Sequence, residues 1–318
     1  MLLTDKIYIA GHAGLVWSAI VRALEQQGYT NLVFKSYDEL DLTNQAKVNT
    51  FFANERPAYI FLAAAKVGGI MANKMYPAEF LYQNLQIQSN VIHAAYTHNA
   101  KKLLFLWSSC IYPKYATQPI TEDALLTWAL EPSNEPYAIA KIAGIKLCQS
   151  YNRQYGTNFI ACMPTNIYGP RDNFDIQTAH VIPALIHKFV KAKATNTPAD
   201  SLRGDGSPKR EFLYVDDLAD ACIFLMNTFV PTAEQNEQGN IFVNVGQWKD
   251  ISLLELAEII KQLVWYTGPI DRDTSKPNGT PRKLLNTMVM ESLGRKPKVD
   301  LMTWLKQAIE YFQTHYSF

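Results

Sequence analysis

Residues 6–27 read Lys-Ile-Tyr-Ile-Ala-Gly-His-Ala-Gly-Leu-Val-Trp-Ser-Ala-Ile-Val-Arg-Ala-Leu-Glu-Gln-Gln, and the order of events in this stretch decides the fold. An apolar run ends at Gly11, a second glycine follows at Gly14, and an amphipathic helical pattern starts near Ser18. A strand that turns through G-x-x-G into a helix brings the backbone N–H groups of the helix N-terminus up to a pyrophosphate. The alternative is a tight strand-to-helix connection with no ligand. The flanking strand and helix, with NLVFKS (31–36) as a following strand, favour a dinucleotide.

Working outward, the same alternation continues: TNQAKVNTFFANE (43–55) after NLVFKS, then AYIFLAAA (58–65) with NLQIQSNVIHAAYTHN (84–99), then KLLFLWSS (102–109). Strands followed by helices of this length make βαβ units and a parallel sheet. IKLCQSYNRQYG (145–156) reads as a helix and NFIACMPTN (158–166) as a strand. Residues 192–208, rich in Thr, Asn, Pro, Asp and Gly, read as a surface loop. REFLYVDDLADACIFLMNTF (210–229) and DISLLELAEIIKQLV (250–264) read as helical, and SKPNGTPRK (275–283) as a turn-rich basic loop. The expected architecture is α/β: a Rossmann doubly wound parallel sheet over residues 1–170, to which later segments return. Residues 171–318 mainly form a smaller α/β substrate lobe, with the ligand in the cleft at the carboxyl ends of the strands.

Composition narrows the partners. Thirty basic and 29 acidic side chains leave a formal charge of +1, which argues against nucleic acid or an anionic membrane as a target. No apolar stretch is long enough to span a bilayer, and the N-terminal run, broken by Asp5 and Lys6, reads as a strand and not a signal peptide. Cys110, Cys148, Cys162 and Cys222 lack metal-ligand spacing, so neither a metal site nor a disulfide framework is expected, and a cytoplasmic location is the simplest one.

Ser108, Tyr137 and Lys141 carry the strongest chemical signal. A serine follows the apolar run KLLFLW, and Tyr137-Ala-Ile-Ala-Lys141 opens a helix on which residues four apart share a face. An ammonium beside a phenol favours the phenolate, so Tyr137 is positioned to exchange a proton with a carbonyl or hydroxyl during hydride transfer, with Ser108 holding that oxygen. By itself Y-x-x-x-K is common on surface helices. Behind a nucleotide-binding unit it reads as catalytic. Lys35, where a NAD enzyme would place an acid, either neutralises a 2′-phosphate or is an exposed lysine at a strand end.

In order along the chain, GHAGLV, AAAKVGGIMAN, SSCIYPK, LEPSNEPYAIAKIAGIKLCQSYNRQYG, MPTNIYGPRDNF, HVIPALI, REFLYVDD and SKPNGTPRKLL resemble the landmarks of the GDP-L-fucose synthases, within the extended short-chain dehydrogenases/reductases. The resemblance implies epimerisation at C3 and C5 of GDP-4-keto-6-deoxy-mannose, then NADPH-dependent reduction at C4, in a homodimer that binds a GDP-sugar. It implies Cys110 as the epimerisation base and His180 as its acid. By themselves these read as a buried small hydrophobe and a capping or loop histidine. It assigns the cofactor to Gly11, His12, Gly14, Leu15, Val16, Trp17, Lys35, Tyr37, Asp41, Ala64, Lys141, Pro164, Asn166 and His180. The nucleotide-sugar goes to Lys188, Arg203, Arg210 and Arg282, of which Lys188 and Arg210 otherwise read as solvated cations. The rival readings are a nucleotide-sugar 4-epimerase or 4,6-dehydratase, against which Cys110 with His180 argues, and a non-catalytic redox-sensing dinucleotide-binding protein.

Three positions depart from that family: Ala13 and Tyr37 stand where it carries arginine, and Arg203 where it carries an aromatic residue. Trp17 takes the third position of the phosphate loop, Trp107 precedes Ser108, and Trp128, Trp248, Trp265 and Trp304 likewise fall where the family resembled carries glycine. Either these six are genuine, and the indole of Trp17 is expected to displace the helix or the cofactor, or they mark UGA codons that specify glycine.

Overall fold

The computed structural model describes every residue except 12, 13, 177, 200, 201, 277, 299, 317 and 318, and at Ile70 the backbone alone. Strands β1 (Ile7–Ala10), β2 (Leu32–Val33), β3 (Tyr59–Leu62), β4 (Lys102–Leu106) and β5 (Phe159–Pro164) alternate with helices α1 (Leu15–Gln26), α2 (Gln45–Glu55), α3 (Ile70–Met75), α4 (Pro77–Thr97) and α5 (Glu135–Tyr155). There follow β6 (Asn166–Tyr168), α6 (Val181–Thr195), β7 (Leu202–Arg203), β8 (Lys209–Tyr214), α7 (Val215–Thr228), α8 (Ala233–Gln238) and β9 (Phe242–Val245). The chain ends with β10 (Asp250–Ser252), α9 (Leu253–Val264), β11 (Arg272–Asp273), β12 (Arg282–Lys283), α10 (Met288–Ser292) and α11 (Leu301–His315).

The main sheet is parallel throughout, in the order β2-β1-β3-β4-β5-β9. Its strands are buried on both faces, which is why they read as continuous apolar runs such as IYIA and KLLFL. One face packs against α2, α4 and α5 through Val48, Phe52, Val91, Ile142 and Ile145, and the other against α1 and α7 through Ile20, Leu24, Leu218 and Leu225. Lys102, buried at the start of β4, donates its ammonium to the carbonyls of Leu225, Met226 and Phe229, neutralising the negative end of α7. The sheet order reverses between β1 and β3, the switch point at which α/β sheets open a crevice.

A second core unites α6, α9 and α11 with β8, around Leu185, Phe189, Phe212, Leu256, Ile260 and Phe312. Here β8 pairs antiparallel with β10 and parallel with β12 and β6, while β7 and β11 form a separate two-stranded ribbon. The helical reading of 210–229 is corrected at its start. Residues 209–214 are a strand because their backbone finds three partner strands, and helix begins only at Val215. The loop expected over 192–208 is partly ordered too: α6 runs to Thr195, and Leu202 and Arg203 pair with β11. Within the basic segment 275–283, Arg282 and Lys283 form β12 beside β8.

Trp265 follows α9 in the left-handed conformation, with φ 63° and ψ 37°, and is 80% exposed. A side chain with a Cβ pays roughly 1–2 kcal/mol there, which is why glycine usually closes a helix this way. In the chain with tryptophan at this position, Trp265→Gly is expected to stabilise the fold by about 1 kcal/mol and raise the thermal midpoint by about 2 °C. A lower midpoint in a calorimetric scan would contradict the strain.

Candidate active site

The phosphate loop sits at the switch point. Gly11 has φ 127°, and a Cβ there would lie 2.9 Å from the backbone nitrogen of Ala64, so the ends of β1 and β3 touch because residue 11 has no side chain. Gly14 caps α1 with extended backbone and no side-chain cap, and the space where its Cβ would stand is open. The first turn of α1, at Leu15 and Val16, thus follows a residue without a side chain, and its unbonded N–H groups fit a pyrophosphate. His12 and Ala13 lie outside the described residues.

The indole of Trp17 projects from the first turn of α1, at the third position of the phosphate loop. It wedges beside β1, donating from Nε1 to the Ile9 carbonyl at 3.1 Å and meeting the Phe34 ring edge-on at 5.4 Å. Beyond it, Lys35 is engaged with Glu39 at 3.2 Å, Tyr37 is 69% exposed, and the Asp41 carboxylate accepts from the amide and hydroxyl of Thr43. A 2′-phosphate would therefore compete with Glu39 for Lys35.

Ser108, Cys110, Tyr137 and Lys141 converge at the carboxyl end of β4. Ser108 leaves the strand in extended conformation, and residues 109–111 make a single tight turn closed by the Ile111 amide on the Ser108 carbonyl, which turns Cys110 into the core. On α5, Lys141 is buried, donates from Nζ to the Leu106 carbonyl at 3.2 Å, and stands 4.7 Å from the Phe105 ring centre and 5.8 Å from that of Tyr137. The helix lies this close to β4 because of Gly144, where any Cβ would overlap the Phe105 ring.

The electrostatics differ from the expectation that Lys141 depresses the phenol. Burial raises Tyr137 well above its ordinary value, with the neighbouring Cys110 thiol adding to the rise, while burial lowers Lys141 to about 8. In this arrangement Tyr137 is a protonated acid. Burial also raises Cys110, opposed by the charge of Lys283, a hydrogen bond with Ser108 and the charge of Lys141.

His180 stands at the N-cap of α6 without capping it. Its segment meets the loop after β3, for a Cβ on Gly69 would come within 3.3–3.4 Å of the Thr178 and Ala179 carbonyls. Burial favours the neutral imidazole, an effect softened by the exposure of the residue. Pro164 ends β5 opposite Val245, and the Asn166 amide donates to the Glu211 carbonyl at 2.8 Å.

The four assigned substrate cations part company. Arg210, half-buried, donates to the carbonyls of Lys209 and Thr280 at 2.7 and 2.6 Å, and Lys188 lies half-buried on α6. Arg282 is paired with Asp250, and Arg203 is exposed near Asp273. Successive residues of a strand point to opposite faces, so the residue after Arg282 turns the other way. It is Lys283, in register with Arg210, whose charge acts on Cys110. Sequence reasoning missed Lys283, since a two-residue strand inside a turn-rich segment leaves no periodicity to read.

Glu211, fully buried, accepts the amides of Gln247 and Trp248 at 2.6 and 2.7 Å and that of Leu285 at 3.0 Å. Burial pushes its carboxyl up and those amides pull it down. Leu285 also bridges to Ile120, and the Ile120 amide reaches the Leu284 carbonyl, which ties the strand bearing Lys283 to the floor of the site.

A parallel sheet with a glycine loop at its switch point, and a Ser-Tyr-Lys group around a buried lysine with a buried thiol beside it, define a dinucleotide-dependent enzyme of the short-chain type. The sequence pattern of the NAD dependent epimerase/dehydratase family matches residues 7–246. The chain belongs to that family and, within it, to the GDP-L-fucose synthases. It is 55% identical to GDP-L-fucose synthase 1 of Arabidopsis thaliana over 307 residues, covering 96% of this chain and 93% of that one. It is 51% identical to GDP-L-fucose synthase of Escherichia coli (strain K12) over 309 residues, covering 97% and 96%. Among solved structures it is similar to MlghC, a GDP-mannoheptose C4 reductase from Campylobacter jejuni with NADP bound, at 36% identity and a TM-score of 0.88, covering 98% of this chain and 99% of that one.

Truncation of Glu211 leaves three backbone amides without their acceptor, so Glu211→Ala is expected to lose about 3–5 kcal/mol of stability, measured by denaturant titration. A loss under about 1 kcal/mol would mean that the carboxylate is replaceable by water.

Proposed function

We propose that this chain converts GDP-4-keto-6-deoxy-mannose to GDP-L-fucose, epimerising C3 and C5 and then reducing C4. The observation that carries this reading is the meeting of Cys110 with Ser108, Tyr137 and Lys141 at one strand end, in a chain over half identical to GDP-L-fucose synthases from a plant and a bacterium. NADPH, held by the phosphate loop around Gly11 and Gly14, supplies the hydride when bound. The lobe built on the main sheet carries the cofactor and the lobe around β8 the GDP-sugar, with Lys188 and Arg210 serving the diphosphate.

Epimerisation needs a base and an acid on opposite sides of each carbon beside the ketone. Cys110, as its thiolate, takes the proton from one side; burial raises the thiol, and Lys283 and Lys141 offset part of that rise. His180, from the facing lobe, returns a proton on the other. In the reduction the protonated Tyr137 gives its proton to the C4 oxygen, Ser108 holds that oxygen, and Lys141 stabilises the phenolate left behind.

A homodimer is the assembly supported by the surface. α4 and α5 lie side by side, and Tyr82, Ile139 and Tyr155 on them are 64%, 44% and 47% exposed. The four free, buried cysteines suit a cytoplasmic setting, and among the described residues no helix is long and apolar enough to cross a membrane.

Tyr137→Phe is expected to slow NADPH oxidation about a hundredfold or more while NADPH affinity stays nearly unchanged, and wild-type turnover would remove the assignment. The rate of reduction should also fall as pH rises through about 8, because Lys141 loses its proton there and the developing phenolate loses its counter-charge; a flat profile to pH 9.5 would contradict this. Cys110→Ser should suppress solvent deuterium incorporation at C3 and C5 of the keto-sugar, and undiminished exchange would exclude the thiol as base.

A further inference from the structure

Of the six tryptophans, two stand on left-handed backbone that suits glycine, two bury an indole N–H without a partner, one is largely exposed and one is wedged into the phosphate loop. Trp248 and Trp265 adopt φ of 61° and 63°, whereas none of the described phenylalanines and tyrosines in a chain with 15 and 17 of them has a positive φ. For a bulky side chain such a backbone is a genuine outlier. Trp107 and Trp304 bury an indole Nε1 that has no hydrogen-bond partner, although a buried indole N–H ordinarily finds one. The Trp304 ring also lies face to face on Tyr214 with centroids 3.5 Å apart, shorter than the 4.5–7 Å that aromatic pairs prefer. Trp128 is 80% exposed, as is Trp265, an unusual degree for the largest apolar side chain. Trp17 fills the third position of the phosphate loop, where helix and strand pack most closely, and inserts its ring between β1 and Phe34.

One cause accounts for all six. Tryptophan has a single standard codon, UGG, and UGA is its near neighbour. If UGA specifies glycine in this gene and is rendered as tryptophan, glycines become tryptophans at scattered sites and no other residue type changes. Composition agrees: 15 glycines in 318 residues are 4.7%, and 21 would be 6.6%, near the usual value of about 7%. We propose that the protein as its own cells make it carries glycine at positions 17, 107, 128, 248, 265 and 304, and that its dinucleotide site is built around a glycine at 17. The proposal stands apart from the catalytic reading above, since peptide masses decide it without an activity assay.

Two measurements test it. The six codons in the gene are read, and peptides of the protein purified from the cells that encode it are weighed. TGA at all six codons, with each peptide lighter by the mass of a methylene-indole group, is the result expected; TGG at these codons, or tryptophan in the peptides, overturns the proposal. Separately, titration calorimetry with NADPH compares the chain as written with its Trp17→Gly variant. Affinity should rise roughly ten- to a hundredfold, the worth of one recovered charge-assisted phosphate contact. Equal affinity would overturn the claim that the cofactor site is built around glycine at 17.

Discussion

One buried carboxylate holds the two halves of this molecule in register. Glu211 lies on β8 in the smaller lobe, and its side chain takes amides from the segment after β9 and from the segment after β12. Its main-chain carbonyl accepts from Thr165 and Asn166, just past β5 of the main sheet. Five donors from three chain segments thus end on one residue. Burying a carboxylate is unfavourable unless its oxygens are occupied, so any relative slip of these segments leaves a charge without partners. That penalty fixes where β12 can lie. Arg210 and Lys283, in register across β8 and β12, are thereby set beside the strand end that bears Cys110.

The net charge of +1 excludes a strong global field, so the site must make its own. It does so by burial. Lys141 is removed from water with one carbonyl for company, and Tyr137 is half-buried one helical turn away, which moves their titrations in opposite directions from their ordinary values. The phenol is kept neutral and the amine is weakened. A proton can then leave the phenol only when negative charge develops nearby and the ammonium answers it, a coupling that water would screen. Gly144, one turn along α5 from Lys141, makes this possible, because the helix comes close enough to β4 only where a side chain is missing.

Much of this was legible in the sequence wherever a local rule coincided with the global fold. The parallel sheet followed from apolar runs alternating with amphipathic ones, and Gly11 fell where the turn geometry needs it. Ser108, Tyr137 and Lys141 could be placed because a strand end and one helical turn are rigid rulers. The misses have a different origin. Residues 209–214 read as helix because a strand flanked by partners on both sides shows no alternation, and Lys283 was hidden because its strand is two residues long and its partner lies 73 positions away. Arg282 shows the same blindness from the other side: its charge is visible in the sequence, its commitment to Asp250 is not.

The placement of the thiol ties the two chemistries to one pocket. Cys110 is pulled down the titration scale by Lys283, Ser108 and Lys141, while burial pushes it up, and it in turn makes Tyr137 harder to ionise. Base and acid therefore answer to shared charges. When the thiol is charged, Lys141 is drawn toward it and the phenol is held neutral. Once the thiol has taken a proton from carbon, that negative charge disappears and the ammonium is left to support a phenolate. On the roles proposed for Cys110 and Tyr137, this coupling favours proton abstraction before proton donation to the C4 oxygen.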